Sequence, residues 1–155
     1  MSYKVEIDVN GNHVVVEADP DTPFLYVLRN DLGLRAAKLG CGLEQCRACA
    51  VLADGEAVPT CVTPLSAFAG RRIITLEGLA DGERLHAVQQ AFLDEEAAQC
   101  GYCTAGMIIG AVALLERSPD PTDEEIRAAL DPHLCRCGSH SRVIRAVRRA
   151  AGAPS

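Results

Sequence analysis

Gly40-Cys41-Gly42-Leu43-Glu44-Gln45-Cys46-Arg47-Ala48-Cys49 sets three cysteines at x4 and x2 spacing, and Cys61 follows after eleven further residues. This is the C-x4-C-x2-C…C arrangement of a plant-type 2Fe-2S site. One loop has to wrap three thiolates around a cluster while its backbone N–H groups face the sulfurs. Gly40 and Gly42 suit such a loop, because glycine takes positive φ and allows close backbone approach. Four cysteines also suffice for a structural zinc ion. Zinc ribbons, however, join two short C-x2-C knuckles, and one glycine-bearing loop of x4 plus x2 fits that pattern poorly.

The sequence around this loop reads as a small mixed sheet. Tyr3, Val5, Ile7 and Val9 alternate with Lys4, Glu6 and Asp8, Asn10-Gly11-Asn12 supplies a turn, and residues 13–18 return as a second strand. Thr22-Pro23 starts a short helix whose apolar stripe (Phe24, Leu25, Val27, Leu28, Leu32) ends near Gly33. Residues 50–53 and 56–58 flank Asp54-Gly55, a two-residue hairpin signal, and residues 72–76 read as one more strand. Two hairpins, a helix and a closing strand around a four-cysteine loop predict a ferredoxin-like β-grasp domain over residues 1–78.

After Glu77-Gly78 no strand pattern recurs, so residues 79–155 are expected to be all-helical, a four-helix bundle. The fold class is therefore α+β. Leu85, Val88 and Phe92 mark the first helix, Thr122 to Glu125 is a T-x-x-E capping box, and Val143, Ile144 and Val147 mark the last. Residues 105–115 are apolar on nearly every side and should form the buried helix. Gly106 and Gly110, four apart, are expected to admit a neighbouring helix.

This second half carries its own cysteines: Cys100-x2-Cys103 and Cys135-x-Cys137, with thirty-one residues between the pairs. By spacing alone the set suits zinc as well as an iron-sulfur cluster. Each pair precedes an expected helix, at 104–116 and at 139–150. Two helix N-termini would then converge on one anionic group, where N–H groups and dipoles stabilise negative charge.

Composition narrows the function. A formal net charge of -6 excludes nucleic acid as a partner of the whole chain, although the segment from Arg136 onward holds five Arg and no acid. The start runs directly into a strand, with no apolar export segment and no spanning run, so a cytoplasmic location with no direct membrane insertion is expected. Eight cysteines in that setting mean metal ligation or redox chemistry rather than a disulfide scaffold.

Six stretches together resemble the iron-sulfur small subunits of the xanthine oxidase family of molybdenum hydroxylases. They are Leu28-Arg29-Asn30-Asp31-Leu32, Gly40 to Cys46, Thr75-Leu76-Glu77-Gly78-Leu79, Gln89-Gln90-Ala91-Phe92, Gln99-Cys100-Gly101-Tyr102-Cys103 and Leu134-Cys135-Arg136-Cys137-Gly138. The Gly-Leu-Glu-Gln-Cys form of the first loop is most similar to isoquinoline 1-oxidoreductase, nicotinate dehydrogenase and aldehyde dehydrogenase small subunits. The resemblance implies two 2Fe-2S clusters, one held by Cys41, Cys46, Cys49 and Cys61, the other by Cys100, Cys103, Cys135 and Cys137. It implies a large partner subunit that binds molybdopterin cytosine dinucleotide and oxidises an N-heterocycle or aldehyde. Electrons would pass one at a time through the helical-domain cluster and then the β-grasp cluster, to a cytochrome c or FAD subunit. Gln99 and Cys137 match the positions that contact the pterin, and no bond-making residue is implied on this chain. The length resembles a separately encoded subunit. A free-standing two-cluster ferredoxin is the alternative.

Against the family pattern, Arg47 and Ala36 stand where glycine is usual, Ala105 where proline is, and His133 and His140 where Asn and Tyr are. No ligand is lost. An Arg beside an anionic cluster should raise its potential by stabilising the reduced form. Arg47 requires either a loop backbone open to a non-glycine residue or an altered loop. His133 and His140 are expected to be helix-terminal or surface residues. Arg142, Arg145 and Arg149, at i, i+3 and i+7, read as a solvated face, or else as a docking stripe for the large subunit.

Overall fold

The computed structural model describes residues 3–152. Tyr3–Val9 (β1) and Asn12–Ala18 (β2) pair antiparallel in the register Tyr3↔Ala18 to Val9↔Asn12. Their alternation buries Ile7, Val9 and Val16 and leaves Lys4, Glu6 and Asp8 exposed. Asn10 and Gly11 both take positive φ, the two-residue turn whose twist matches that of the strands. Val51–Ala53 (β3) and Glu56–Val58 (β4) form the second hairpin, and Arg72–Ile74 (β5) enters between β1 and β3. The sheet runs β2-β1-β5-β3-β4, parallel only between β1 and β5.

Two boundaries differ from the sequence reading. β5 stops at Ile74 because Asn10 captures Thr75: the Thr75 N–H donates to Asn10 Oδ1 at 2.9 Å, and Asn10 Nδ2 donates to Thr75 Oγ1 at 2.9 Å. The expected helix from Thr22 to Gly33 is a single α-turn, Phe24–Tyr26 (α1), passing into a π-helical turn, Val27–Asp31. There the Leu32 N–H donates to the Val27 carbonyl at 3.1 Å, closing a five-residue step. The apolar stripe is buried at Phe24, Leu25, Val27 and Leu28 and partly buried at Leu32, with Phe24 stacked on Phe68 at 4.3 Å between ring centroids.

The second half is helical: Ala87–Asp94 (α2), Thr104–Arg117 (α3), Asp123–Leu130 (α4) and His140–Ala151 (α5). α2 starts after Leu85 because His86 caps it, accepting from the Val88 N–H while its own N–H donates to Gln89 Oε1. Thr122 and Glu125 form the capping box on α4. Every residue of α3 from Ala105 to Leu114 is buried, as its all-round apolar pattern requires.

Arg142, Arg145 and Arg149 lie on an exposed face, as expected, and are engaged in surface ion pairs. They pair with Glu96, Glu95 and Asp94 at the end of α2, at 3.6, 3.2 and 3.4 Å, and Glu95 also takes Arg149 at 3.2 Å. The acids lie about fifty residues away in sequence, so the stripe's partner was not visible from its own helix.

The architecture is α+β, with two apolar cores that meet on β3. Val51 and Ala53 join Ile7, Leu25, Leu28 and Ile73 on one sheet face. Ala50 and Leu52 join Met107, Ile109, Val112 and Val147 on the other. The two-residue period of an extended chain thus packs the helices onto the back of the sheet. No described helix is long and apolar enough to cross a membrane.

Candidate cluster-binding site

Between Gly40 and Cys49 the chain takes positive φ at Gly42, Glu44 and Arg47, which turns successive N–H groups inward. The N–H groups of Leu43, Gln45 and Cys46 each lie 3.3 Å from Cys41 Sγ, and that of Cys41 lies 3.3 Å from Cys46 Sγ. The Glu44 N–H reaches Cys61 Sγ at 3.3 Å and the Thr60 N–H reaches Cys49 Sγ at 3.2 Å. Gly40 permits this closure, since a Cβ there would sit 2.6 Å from Cys46 Sγ. Burial alone would raise the Cys41 thiol, but the N–H donors outweigh it and bring it down to about 7. Burial pushes Cys61 up to about 11.

The second set gathers at two helix starts. Cys103 is the N-cap of α3, and Cys135 Sγ lies 3.3 Å from the hydroxyl of Ser139, the buried N-cap of α5. Gly101 and Gly138 turn the two loops with positive φ. Burial, then the neighbouring Cys135, pushes Cys103 up to about 12; burial opposes the fall in Cys135, but the Ser139 donors bring it down to about 6.

All eight thiols are free, and they fall into two groups: Cys41 acts on Cys46 and Cys61, and Cys61 on Cys49, while Cys103 and Cys137 each feel both Cys100 and Cys135. Among the described residues no three His, Cys, Asp or Glu side chains converge on one ion position. Four thiols in each of two groups suit a binuclear cluster with two ligands per iron. The Thr104 hydroxyl, directly after Cys103, is buried with no hydrogen-bond partner among the described residues. Both bowls therefore fit a 2Fe-2S cluster.

Known proteins share the two-part organisation of the chain. The family described as 2Fe-2S iron-sulfur cluster binding domain matches residues 7–70, and the family described as 2Fe-2S binding domain matches residues 75–148. A nicotinate dehydrogenase subunit of Pseudomonas putida is 57% identical over 151 residues, 97% of this chain and 96% of that protein. The alpha subunit of isoquinoline 1-oxidoreductase from Brevundimonas diminuta is 45% identical over 95% of this chain and 97% of its own. The chain belongs to the iron-sulfur small subunits of the xanthine oxidase family of molybdenum hydroxylases. The crystal structure of quinoline 2-oxidoreductase from Pseudomonas putida 86 superposes on this small subunit with a TM-score of 0.92 at 34% identity, covering 97% of this chain and 94% of that one.

As a molybdenum hydroxylase small subunit the chain is part of a multi-subunit oxidoreductase, and its departures from the family pattern have definite places. Arg47 takes the left-handed backbone that glycine adopts freely, at φ 62°, so the residue bears the strain. His133 is not a surface histidine: it is 4% exposed, its ring covers Gly110, and burial, then Arg47, lowers it to about 4. His140 opens α5 and its Nε2 lies 3.0 Å from the His133 carbonyl. Gln99 is exposed and lines a cavity of about 380 Å³ with Cys137, Ser139 and Arg142.

The contacts between the two bowls were not foreseen from sequence. The Leu134 N–H donates to the Cys46 carbonyl at 3.2 Å, and the Tyr102 hydroxyl donates to the Leu39 carbonyl. Gly106 and Gly110 do not receive a helix; they receive the Arg47 backbone and the His133 ring. The glycine spacing signalled a close approach without saying of what.

Proposed function

We propose that this chain is the electron-transfer subunit of a molybdenum-containing hydroxylase or dehydrogenase that oxidises an N-heterocycle or aldehyde. It receives electrons one at a time from molybdopterin cytosine dinucleotide on a large partner subunit, then delivers them to an external acceptor, a cytochrome c or FAD subunit, in the cytoplasm. The N–H groups that line the first group of four thiols, with the Ser139 hydroxyl on Cys135 in the second, carry this reading. Residues 1–78 are its β-grasp domain and residues 79–155 its four-helix domain. Cys41, Cys46, Cys49 and Cys61 hold one 2Fe-2S cluster; Cys100, Cys103, Cys135 and Cys137 hold the other. When bound, the clusters supply one-electron storage at two points along the chain. The inward N–H groups of residues 43–46 and 60 offset the negative charge of the first site, and the starts of α3 and α5 do so at the second. Gln99 offers an amide in the cavity beside Cys137, where the partner's pterin would dock.

Co-expression with the neighbouring large-subunit gene and affinity purification test the reading. The expected product is a complex containing molybdenum, about four iron and four sulfide per small subunit for two binuclear clusters, and two distinguishable EPR signals. Zinc without sulfide would overturn it. A holo-protein that purifies alone and reduces an acceptor without a molybdenum partner would favour the free-standing ferredoxin.

A further inference from the structure

The first and second cysteine bowls come from different halves of the chain, yet their backbones meet, through the Leu134 N–H on the Cys46 carbonyl and, with no room for a side chain, at Gly106. A Cβ placed on Gly106 would lie 2.2 Å from the Arg47 carbonyl oxygen, 3.1 Å from its carbonyl carbon and 3.3 Å from Ala48 Cα. Arg47 stands between Cys46 and Cys49, and Gly106 follows Cys103 on the first turn of α3. No side chain fits between them. The left-handed Arg47 residue lays its peptide on the helix, and the same carbonyl accepts from the Ala50 N–H at 3.1 Å, so the loop cannot simply swing the carbonyl away. The Tyr102 hydroxyl, from the turn between Cys100 and Cys103, ties the same two segments at the Leu39 carbonyl.

We propose that Gly106 is a positioning residue for electron transfer within this chain: its missing side chain sets how closely the Cys41–Cys61 bowl sits to the Cys100–Cys137 bowl, with the Tyr102 hydroxyl as a side-chain tether beside it. The inference rests on the electron-transfer reading above. The step concerned is a one-electron exchange between the two sites, one oxidised as the other is reduced, with no bond made or broken. The reductant is the partner's reduced molybdopterin and the sink is the external acceptor. Tunnelling falls exponentially with separation, so a small displacement at this contact has a large kinetic effect. A methyl group at Gly106 has to push the loop off α3 by on the order of 1 Å to restore an ordinary carbon–oxygen contact.

The test uses the two-subunit holoenzyme carrying Gly106→Ala, with Tyr102→Phe as a variant that removes the tether and adds no volume. Each is compared with wild type by iron and sulfide content, by the mutual broadening of the two EPR signals in the fully reduced enzyme, and by stopped-flow reduction of the two sites by substrate. The expected result for Gly106→Ala is full metal content, weakened mutual broadening, and a several-fold slower reduction of the Cys41–Cys61 site, with reduction of the other site unchanged. Unchanged broadening and rates with full metal content overturn the proposal. If Gly106→Ala loses iron, Tyr102→Phe decides: weaker broadening supports the proposal, and an unaltered signal overturns it. Failure of the functional reading looks different, since wild type itself would then lack two 2Fe-2S signals.

Discussion

Arg47 concentrates two opposing effects in one side chain. Its φ of 62° is a conformation in which a β-carbon costs about 1–2 kcal/mol, and its guanidinium stands on the loop that carries three ligands. Arg47→Gly is expected to stabilise the fold by about 1 kcal/mol, seen as a higher melting temperature. It should also lower the potential of the first site, because a charge that favours the reduced form is gone. An EPR-monitored redox titration checks the second half; a potential that stays put or rises contradicts it. For the ligands, Cys137→Ser is expected to damage the Cys100–Cys137 site and leave the Cys41–Cys61 signal intact. Loss of both signals together would show that the two bowls assemble as one. The first four cysteines read as a cluster set from their spacing, because a rigid cluster dictates spacing; the second four suit zinc equally by spacing and read as a cluster set only through the family resemblance. The burial of His133 was not legible, because its socket is made by Gly110 on a different element.

At the scale of elements, the β3–β4 turn gives a pH dependence. The Arg72 N–H, then Arg71, hold the Asp54 carboxyl below its usual value. A depressed folded-state pKa supplies stability that is complete above the unfolded carboxylate value of about 4 and is lost as pH falls through the folded value. The gap in urea midpoint between wild type and Asp54→Asn should therefore be widest at neutral pH and close in acid; a gap that grows in acid would reverse the sign. Between α2 and α5, Glu95 bridges Arg145 and Arg149 while 21% exposed. Glu95→Gln is expected to cost about 1 kcal/mol at most, less in high salt, since half-exposed ion pairs are screened. Chemical denaturation at two salt concentrations reads both. Element types were visible in the periodicities. Their ends were not, since Asn10 stops β5 through a hydrogen bond spanning sixty-five residues.

For the whole molecule, β3 serves both cores, so the halves should not be independently robust. A fragment of residues 1–78 would expose Leu52 and Ala50 on its back face, and uncovering a leucine of this kind costs about 1.5–3 kcal/mol. Its first-site absorbance is expected to bleach at a lower temperature than in the full chain, and an equal midpoint would show that the helices lend the sheet nothing. By itself the sequence determined the two cysteine sets, the α+β class and the family, because ligand spacing and hydrophobic period are local properties of a chain. Only the tertiary structure decided that the Arg stripe of α5 is spent on α2 and that Gly106 receives the Arg47 carbonyl. It likewise brought Gln99 to share a cavity with Cys137. Those are meetings between distant segments, and their closeness depends on how the helices settle on the sheet.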